Sequence, residues 1–580
     1  MENHTQEFNP SITKSEKGNI GLAQINTTIG DIKNNALKVI DYIKIAEEQK
    51  LDLIVFPERT LYGNSLDDVV KRFPIIAEQS EEWLNEIATY VQNVKVVLGY
   101  VTIQNGDVEN STAVLADGKI ETAFLNSKIG FTQINDIKYS ILIGEEYLSN
   151  PDFCWGKNSD VIINCVSSAS RAQKEGVKHN ILSAVAKELQ KPIVYVNQVG
   201  ANDGISYDGA SRVYQANGEL LARAKSFEEQ LLVANPLKNI GEIYPLSNGL
   251  DLTFNAKNEF TLDYEPDLER TYKTLVQGIR DYFNKTGFKR AVLGLSGGLD
   301  STICAVLLAD ALGAENVFGV SMPSKLTSDE SKNDASELAK NLGINFTQIS
   351  IKPMYETINT SLQELFKTVE EKWDGRYKLS YTPDNIQARS RATILWGISN
   401  EFGSCLPIAT SDKSESYMGY ATINGDMSGG LAPIADVTKT KLFALARWMN
   451  KNRPVENAIP ENIIFKPPGA ELAIDPKTGK TLIAEDALMP YEFMDEVIWR
   501  IENKHETYKQ MLNSPFLYET KNNISLEQKT EWLDKFFRRM STSHYKWSIL
   551  PPAILVDANS INKCEYSQPI TSSKIDYKGM

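Results

Sequence analysis

The segment Ala291–Gly313 reads AVLGLSGGLDSTICAVLLADALG: an apolar run, a Ser-Gly-Gly break, then a helical pattern. Ser296, Gly297 and Gly298 fall where a strand hands over to a helix. Two glycines permit a tight backbone path whose N–H groups point at phosphate oxygens, and the helix N-terminus adds its positive dipole end. Ser296 and Ser301 supply hydroxyl donors. Asp300 is unsuited to touch phosphate directly, so its place in the loop makes sense if it holds Mg²⁺ bridging the phosphates. The Gly-Lys-Ser/Thr of a Walker loop is absent. An ordinary strand–turn–helix link with a capping Ser or Asp is the bland alternative; the full Ser-Gly-Gly-x-Asp-Ser after a buried strand favours a nucleotide.

SGGLDS resembles the pyrophosphate loop of ATP pyrophosphatases, which cleave ATP to AMP and pyrophosphate to activate an oxygen for amination. The blocks MPSKLTSDESKNDASELAKNLGI, NIQARSRATIL, ATSDKSESYMGYATINGDMSGGLAPIADVTKTKLFALA and PPGAELA, followed by EDALMPYEFMD, are similar in order to those of NAD synthetases, over residues 266 to 500. GMP synthetase, another member of the pyrophosphate-loop group, is disfavoured by the GDMSGGLAPIADVTK block. The resemblance implies ATP and Mg²⁺ chemistry: the nicotinate carboxylate of deamido-NAD attacks the α-phosphorus, pyrophosphate leaves, and ammonia displaces AMP. It places Ser296, Gly297, Gly298, Asp300 and Ser301 on pyrophosphate and metal, and Thr410 and Glu415 on ATP and Mg²⁺. It makes Lys439 a phosphate contact. Asn385, Arg389 and Arg391 would hold dinucleotide and nucleotide phosphates, and Asp426 would lie near the ammonia and nicotinate site. Catalysis would fall to Asp300, Asp426 and Lys439. Two departures stand out. TSDKSE replaces the usual Thr-Gly-Asn-Lys-Ser-Glu, and PPGAEL replaces Pro-Ser-Ala-Glu-Leu, so that Gly469 removes a hydroxyl.

The first half resembles the nitrilase-type glutamine amidohydrolase domain over residues 19 to 235, with IGLAQINTTIGDIKNNALKVIDYIKIAEEQKLDLIVFPERTLYG at its opening and IVYVNQVGANDGISYDGASRVYQANGEL at its end. Such domains use a Glu-Lys-Cys trio, with Glu as base, Cys thiolate as nucleophile and Lys steadying the tetrahedral intermediate. Glu58 fits the Glu, and Lys128 the Lys. Where the Cys of Cys-Glu-Asp-x-Trp belongs, the chain reads YSILIGEEYLS and offers Gly144, followed by Glu145 and Glu146. Glycine cannot be a nucleophile. Cys154 comes too close to the next strand to replace it, and Cys165 lies within that strand and reads as core. The following block is altered as well, to VSSASRAQ from the usual Asn-Ala-Ser-Pro-Tyr. Glu58, Lys128 and Gly144 are therefore read as a vestigial glutaminase site, and free ammonia as the nitrogen donor. Two alternatives stay open: a synthetase with working glutamine hydrolysis, and a non-catalytic nucleotide-binding sensor or scaffold.

These residues need rigid elements to hold them. NIGLAQIN, LDLIVFPE, VKVVLGYVTI, STAVLADGKI, KYSILIGE, SDVIINCVSS and KPIVYVNQVG read as strands, NNALKVIDYIKIAEEQK and VKHNILSAVAKELQ as helices. Several β-rich runs meet directly, which points to an α-β-β-α nitrilase-like sandwich. The text grows irregular from Glu219 to about Pro266. After it, strand and helix alternate to about residue 450, as in a Rossmann-like parallel α/β domain. The expected organisation is a tail at 1–18, a nitrilase-like domain at 19–236, a linker at 237–265, a synthetase domain at 266–550 and a surface-wrapping tail at 551–580.

Among 580 residues, 42% are hydrophobic and 23% charged, as in ordinary globular protein. The net charge of −14 argues against a general nucleic-acid or membrane-surface role, both of which need a basic face. The N-terminus lacks the apolar core of a signal peptide, and no run approaches a membrane span. Five scattered cysteines without a Cys-x-x-Cys pair, and four histidines without metal-ligand spacing, fit reduced thiols in a cytoplasmic protein. The partners implied are deamido-NAD, ATP and ammonia (or glutamine), with a homodimer or higher homo-oligomer.

Overall fold

The computed structural model describes residues 17–64, 67–125, 129–145, 156, 158–172, 174–244, 262, 265–370, 372–373, 381–453, 457–467, 469 and 484–557. The chain divides into two compact units, Met1–Ala256 and Lys257–Met580.

In the first unit the strands are β1 (Ile20–Gln24), β2 (Leu53–Val55), β3 (Lys95–Gln104), β4 (Asp107–Ala116), β5 (Lys119–Leu125), β6 (Gly130–Ile134), β7 (Ile137–Ile143), β8 (Val161–Val166), β9 (Ile193–Asn197), β10 (Val199–Asn202), β11 (Ile205–Asp208), β12 (Arg212–Tyr214), β13 (Leu220–Arg223) and β14 (Gln230–Ala234). They form two six-stranded sheets, ordered β14-β1-β2-β3-β4-β5 and β13-β12-β9-β8-β7-β6, plus the hairpin β10-β11. Side chains of a strand point alternately to its two faces, and both faces here are apolar. In β2, Leu53 and Val55 join one core with Val97, Ile141, Val161, Ile163 and Val194, between the sheets. Ile54 joins another with Val96, Leu98, Val39, Ile43 and Leu84, under helices Ile32–Glu48 and Ile75–Ala88. On the second sheet, Ile162, Val166 and Ile193 pack with Leu182 and Val185 of helix Lys174–Leu189. Helix, sheet, sheet, helix is the layer order, so the expected sandwich is the observed one.

Two readings of the sequence change. STAVLADGKI is a hairpin rather than one strand, since β4 turns at Asp117-Gly118, both at positive φ, into β5. The irregular text from Glu219 onward contains β13 and β14, and β14 pairs antiparallel with β1.

The second unit carries β15 (Arg290–Gly294), β16 (Val317–Ser321), β17 (Asn345–Gln348) and β18 (Cys405–Pro407), in the order β17-β16-β15-β18 with every pairing parallel. That is the expected parallel α/β sheet. Helix Leu299–Leu312 follows β15 and is buried from Ser301 through Leu308. Leu293, Ile303, Leu307, Leu442 and Leu445 belong to one core. A second, helical core gathers Tyr417, Tyr491, Met494, Phe536 and Trp547. The tail does not begin on the surface as read: Ile554, Leu555 and Val556 are buried, and the backbone at Ala553 bridges Ala432. Cys165, Cys304 and Cys405 are free and buried, and among the described residues no helix is long and apolar enough to cross a membrane.

Candidate active site

Strands β15 and β18 are parallel neighbours, so the loops leaving their carboxyl ends open side by side. From β15 the chain enters Ser296-Gly297-Gly298. Gly297 is at φ 78°, in the left-handed region, and Gly298 precedes helix Leu299–Leu312 in extended conformation. Ser296 Oγ accepts from Gly298 N at 3.1 Å, while Ser301 Oγ accepts from Ser296 N at 3.3 Å and donates to Gly298 O at 3.1 Å. The Ser301 hydroxyl is thus buried and shapes the loop's own backbone, where the sequence suggested a phosphate donor. Asp300 lies in the first helical turn, partly exposed.

From β18 the chain runs through Thr410, half-buried, to Asp412, which caps helix Lys413–Tyr417 by accepting from Glu415 N at 2.8 Å. Lys439 opens helix Lys439–Asn452, its backbone N–H donating to Ser414 Oγ at 2.9 Å. Its ammonium lies 2.7 Å from Asp300 Oδ1, 2.7 Å from Asp412 Oδ2 and 3.0 Å from Glu415 Oε1. The Tyr491 ring centroid is 5.5 Å from it. Asp495 accepts from Ser414 Oγ and from Thr440 N and Oγ1, tying the two halves together.

The electrostatics follow from three carboxylates facing one amine. Burial opposes the charge on Lys439, but Asp300, Asp412 and Glu415 outweigh it and hold the amine firmly protonated. Burial likewise pushes Asp412 up to about 6 and Glu415 well above the usual carboxylate range, against the pull of Lys439. Asp300, Asp412 and Glu415 each place a ligand oxygen within 4.8 Å of the others. An all-carboxylate donor set of this kind suits a hard cation such as Mg²⁺, and neither His nor Cys belongs to it.

Of the other residues singled out in the sequence, Asn385 Oδ1 accepts from Thr422 Oγ1 at 2.8 Å, and Thr422 N donates to Asp426 Oδ1 at 2.7 Å. Arg389 Nε reaches Ile423 O at 3.2 Å, so Asn385, Arg389 and Asp426 share one neighbourhood. Arg391 Nε is spent on Met322 O at 3.0 Å, beyond β16. Gly469 is exposed, with its neighbours Pro468 and Ala470 outside the described residues.

In the first unit, Glu58 follows β2. Its Oε2 accepts from Asn110 Nδ2 and its Oε1 from Ser167 N, both at 2.6 Å. Burial pushes its carboxyl up, against Arg59 and these donors. Gly144 directly follows β7, at φ 84°; its N–H donates to Cys165 O at 2.9 Å and its carbonyl accepts from Asn164 Nδ2 at 2.8 Å. Because β7 and β8 run parallel, Gly144 and Ser167 leave the same sheet edge. Cys165 is fully buried between the sheets, and burial together with Glu58 pushes its thiol up, the opposite of a reactive thiolate. Glu145 is paired with Lys174 at 2.9 Å and accepts from Tyr195 OH at 3.0 Å. Lys128, Glu146 and Cys154 lie outside the described residues.

Sequence reasoning missed Asp412, Tyr491, Asp495, Asn110 and Ser167. Asp412 stood in plain view as the departure in TSDKSE, but the charge it adds gained meaning only from the fold. Tyr491 and Asp495 lay inside the quoted EDALMPYEFMD.

Residues 271–535 match the NAD synthase family, and residues 153–242 match the carbon-nitrogen hydrolase family. The chain is 33% identical over 554 residues to a glutamine-dependent NAD(+) synthetase of Synechocystis sp., covering 88% of this chain and 94% of that protein. It is 34% identical over 528 residues to one of Thermotoga maritima, covering 83% and 88%. The solved structure of the Acinetobacter baumannii glutamine-dependent NAD+ synthetase with adenosine diphosphate is similar at TM-score 0.68 and 27% identity, over 96% of this chain and 98% of that one. That of a Cytophaga hutchinsonii synthetase shares the fold at TM-score 0.78, 21% identity and the same coverage.

Proposed function

Since the chain belongs to the two-domain NAD(+) synthetase family, a ligase family pairing a nitrilase-like unit with an NAD synthase unit, we propose that it amidates deamido-NAD at the expense of ATP with free ammonia as the nitrogen donor. The nicotinate carboxylate attacks the α-phosphorus of ATP and pyrophosphate departs; ammonia then adds to the acyl adenylate and expels AMP. The observation that carries the synthetase assignment is the convergence of Lys439 with Asp300, Asp412 and Glu415 beside the Ser-Gly-Gly loop. Backbone N–H groups of the loop and Lys439 take up the pyrophosphate charge as it develops. Asp300, Asp412 and Glu415 would hold Mg²⁺, which neutralises phosphate charge when bound. Asn385, Arg389 and Asp426 receive the dinucleotide, with Arg391 acting through the backbone at Met322.

Gly144 supports ammonia as donor: it directly follows β7, where a nucleophile would be needed, and its neighbour Cys165 is a buried, protonated thiol. The second reading, glutamine as donor, is favoured by the name its relatives carry. A non-catalytic nucleotide binder would have less need to hold four converging charges. AMP and pyrophosphate release from ATP and deamido-NAD, fed with ammonium chloride or with glutamine, separates the three. Turnover with ammonium alone supports the proposal, efficient glutamine-driven turnover abolished by Glu58→Ala overturns it, and no release with either leaves only the binder.

The domain limits 19–236 and 266–550 with a 237–265 linker belong to the same proposal, as does a homodimer. Helix Lys352–Glu370 has no buried residue, and Ile358 and Leu365, two turns apart, expose an apolar side that a second copy would cover. Light scattering on the eluted protein tests this; a monomer at all concentrations rules it out.

A further inference from the structure

The three carboxylates assigned to the divalent cation are the same three that Lys439 already engages, at 2.7, 2.7 and 3.0 Å. The Lys439 side chain is fully buried, and its backbone is pinned through Ser414 and the start of helix Lys439–Asn452. Only the side chain beyond its Cα is free to shift. Mg²⁺ draws its oxygen ligands to about 2.0–2.1 Å. An ion among these oxygens would meet the ammonium at contact distance, with no carboxylate between two like charges in a site largely shielded from water.

We propose that the Lys439 ammonium and the divalent cation are alternative occupants of the Asp300–Asp412–Glu415 cluster, so that the free enzyme is closed to the metal and opens to it only with ATP. This rests on the synthetase reading for the identity of the nucleotide. The exchange is a swap of partners. Asp300 stands in the first turn of the helix that the Ser-Gly-Gly loop feeds, so phosphate held by that loop lies within reach of a four-carbon lysine stem leaving the carboxylates. The ammonium passes from carboxylate to phosphate oxygen while the cation takes the carboxylates. Neither charge is left buried and unpaired at any stage. Lys439 is thereby a gate on metal entry as well as a phosphate contact, and the metal is expected to arrive with ATP.

The test uses Mn²⁺ as the probe ion on the full chain, with calorimetry or the Mn²⁺ paramagnetic signal as readout. Wild-type protein should bind Mn²⁺ weakly alone and about ten-fold or more tightly with a non-hydrolysable ATP analogue. Lys439→Met should bind Mn²⁺ alone about ten-fold or more tightly than wild type, and the analogue should then add little beyond its own phosphate ligands. Lys439→Arg, which keeps the positive charge, should stay weak. Equal Mn²⁺ affinity in wild type and Lys439→Met overturns the proposal. So does wild-type binding that is as tight without the analogue as with it, a comparison that needs no variant to fold. These readouts involve no nitrogen donor, so failure of the ammonia reading would leave them standing.

Discussion

A Cβ built on Gly297 would stand 2.3 Å from the carbonyl oxygen of Ser331. The loop therefore runs against the start of helix Asp329–Leu342, and at φ 78° it adopts a backbone that only glycine takes without strain. Gly298 is different: its φ is −95°, and its nearest neighbour would be Ser296 Oγ at 3.2 Å. Gly297→Ala should cost about 2–3 kcal/mol in denaturant unfolding and raise the ATP KM steeply. Gly298→Ala should cost under about 1 kcal/mol. Equal losses in the two variants would refute the steric account of the loop.

Glu58→Gln should stabilise the protein at neutral pH. Burial raises its carboxyl above the ordinary glutamate value, so its contribution is fully present below that ordinary value and is lost as pH rises through the folded value. Burial penalises the ionised carboxyl, and glutamine removes that penalty, for an expected gain of about 1 kcal/mol. Asn110 Oδ1 has no partner in the structure, so an Asn110 amide flip offers the new Nε2 an acceptor while Ser167 N keeps the other oxygen. Melting temperatures at pH 7.5 and pH 4.5 check this: the gain should shrink toward acid. Ammonium-driven turnover should be unchanged by the same substitution, and a drop in it would show that Glu58 still serves the reaction.

Much of this architecture is written locally. The two-faced apolar runs of β2, β3 and β8 announce strands buried on both sides, and the helix after Ser-Gly-Gly announces itself by its apolar length. Asp300, Glu415 and Lys439 are named by motif, and the fold brings them together. What escaped depends on long-range pairing. The short edge strands β13 and β14, LLAR and QLLVA, carry too little pattern to be told from loop until β1 and β12 pair with them. Asp412 looks like a cap, which it is, and becomes a third carboxylate of the centre only because β18 lies beside β15. Asn110 and Ser167 are ordinary polar residues until two sheets face each other across Glu58.

Behind the site, Lys413 is fully buried and meets Glu502 at 2.7 Å, Asp557 at 3.0 Å and Asp436 at 3.2 Å. Asp436 Oδ2 also accepts from the backbone N–H groups of Val556 and Asp557, so this segment is tied to the loop that leads into Lys439. Removing Lys413 takes this cation from Glu502 and Asp436, while Asp557 keeps Lys441 at 3.5 Å. Lys413→Met should therefore cost about 3–5 kcal/mol. Asp557→Asn, at a group one-quarter exposed and with three other charges still matched, should cost about 1 kcal/mol. Guanidinium unfolding of both variants decides it; similar losses would mean that the network is not centred on Lys413.

The same network sets a pH dependence. Burial pushes the Glu502 carboxyl up to about 8 against Lys413, with Asp436 and Asp557 adding to the rise. A folded value above the ordinary glutamate value means that, between the two, the folded state holds a proton which the unfolded chain has released. Stability from this group is complete below about pH 4.5 and drains away, by up to about 1.4 kcal/mol per pH unit, until pH passes the folded value. Asp557 is shifted the other way, down from 3.8, and Lys413 is held protonated by its three carboxylates despite burial, so neither titrates in that window. Glu502→Gln keeps the geometry: its oxygen can face Lys413 and its amide can donate to Tyr417 OH, which now donates to Glu502 Oε1 at 2.8 Å. Unfolding free energies of wild type and variant at pH 5.5, 6.5, 7.5 and 8.5 should diverge steadily in the variant's favour and level off at the top of the range. A difference independent of pH would mean that Glu502 is ionised throughout and that Lys413, not burial, governs it.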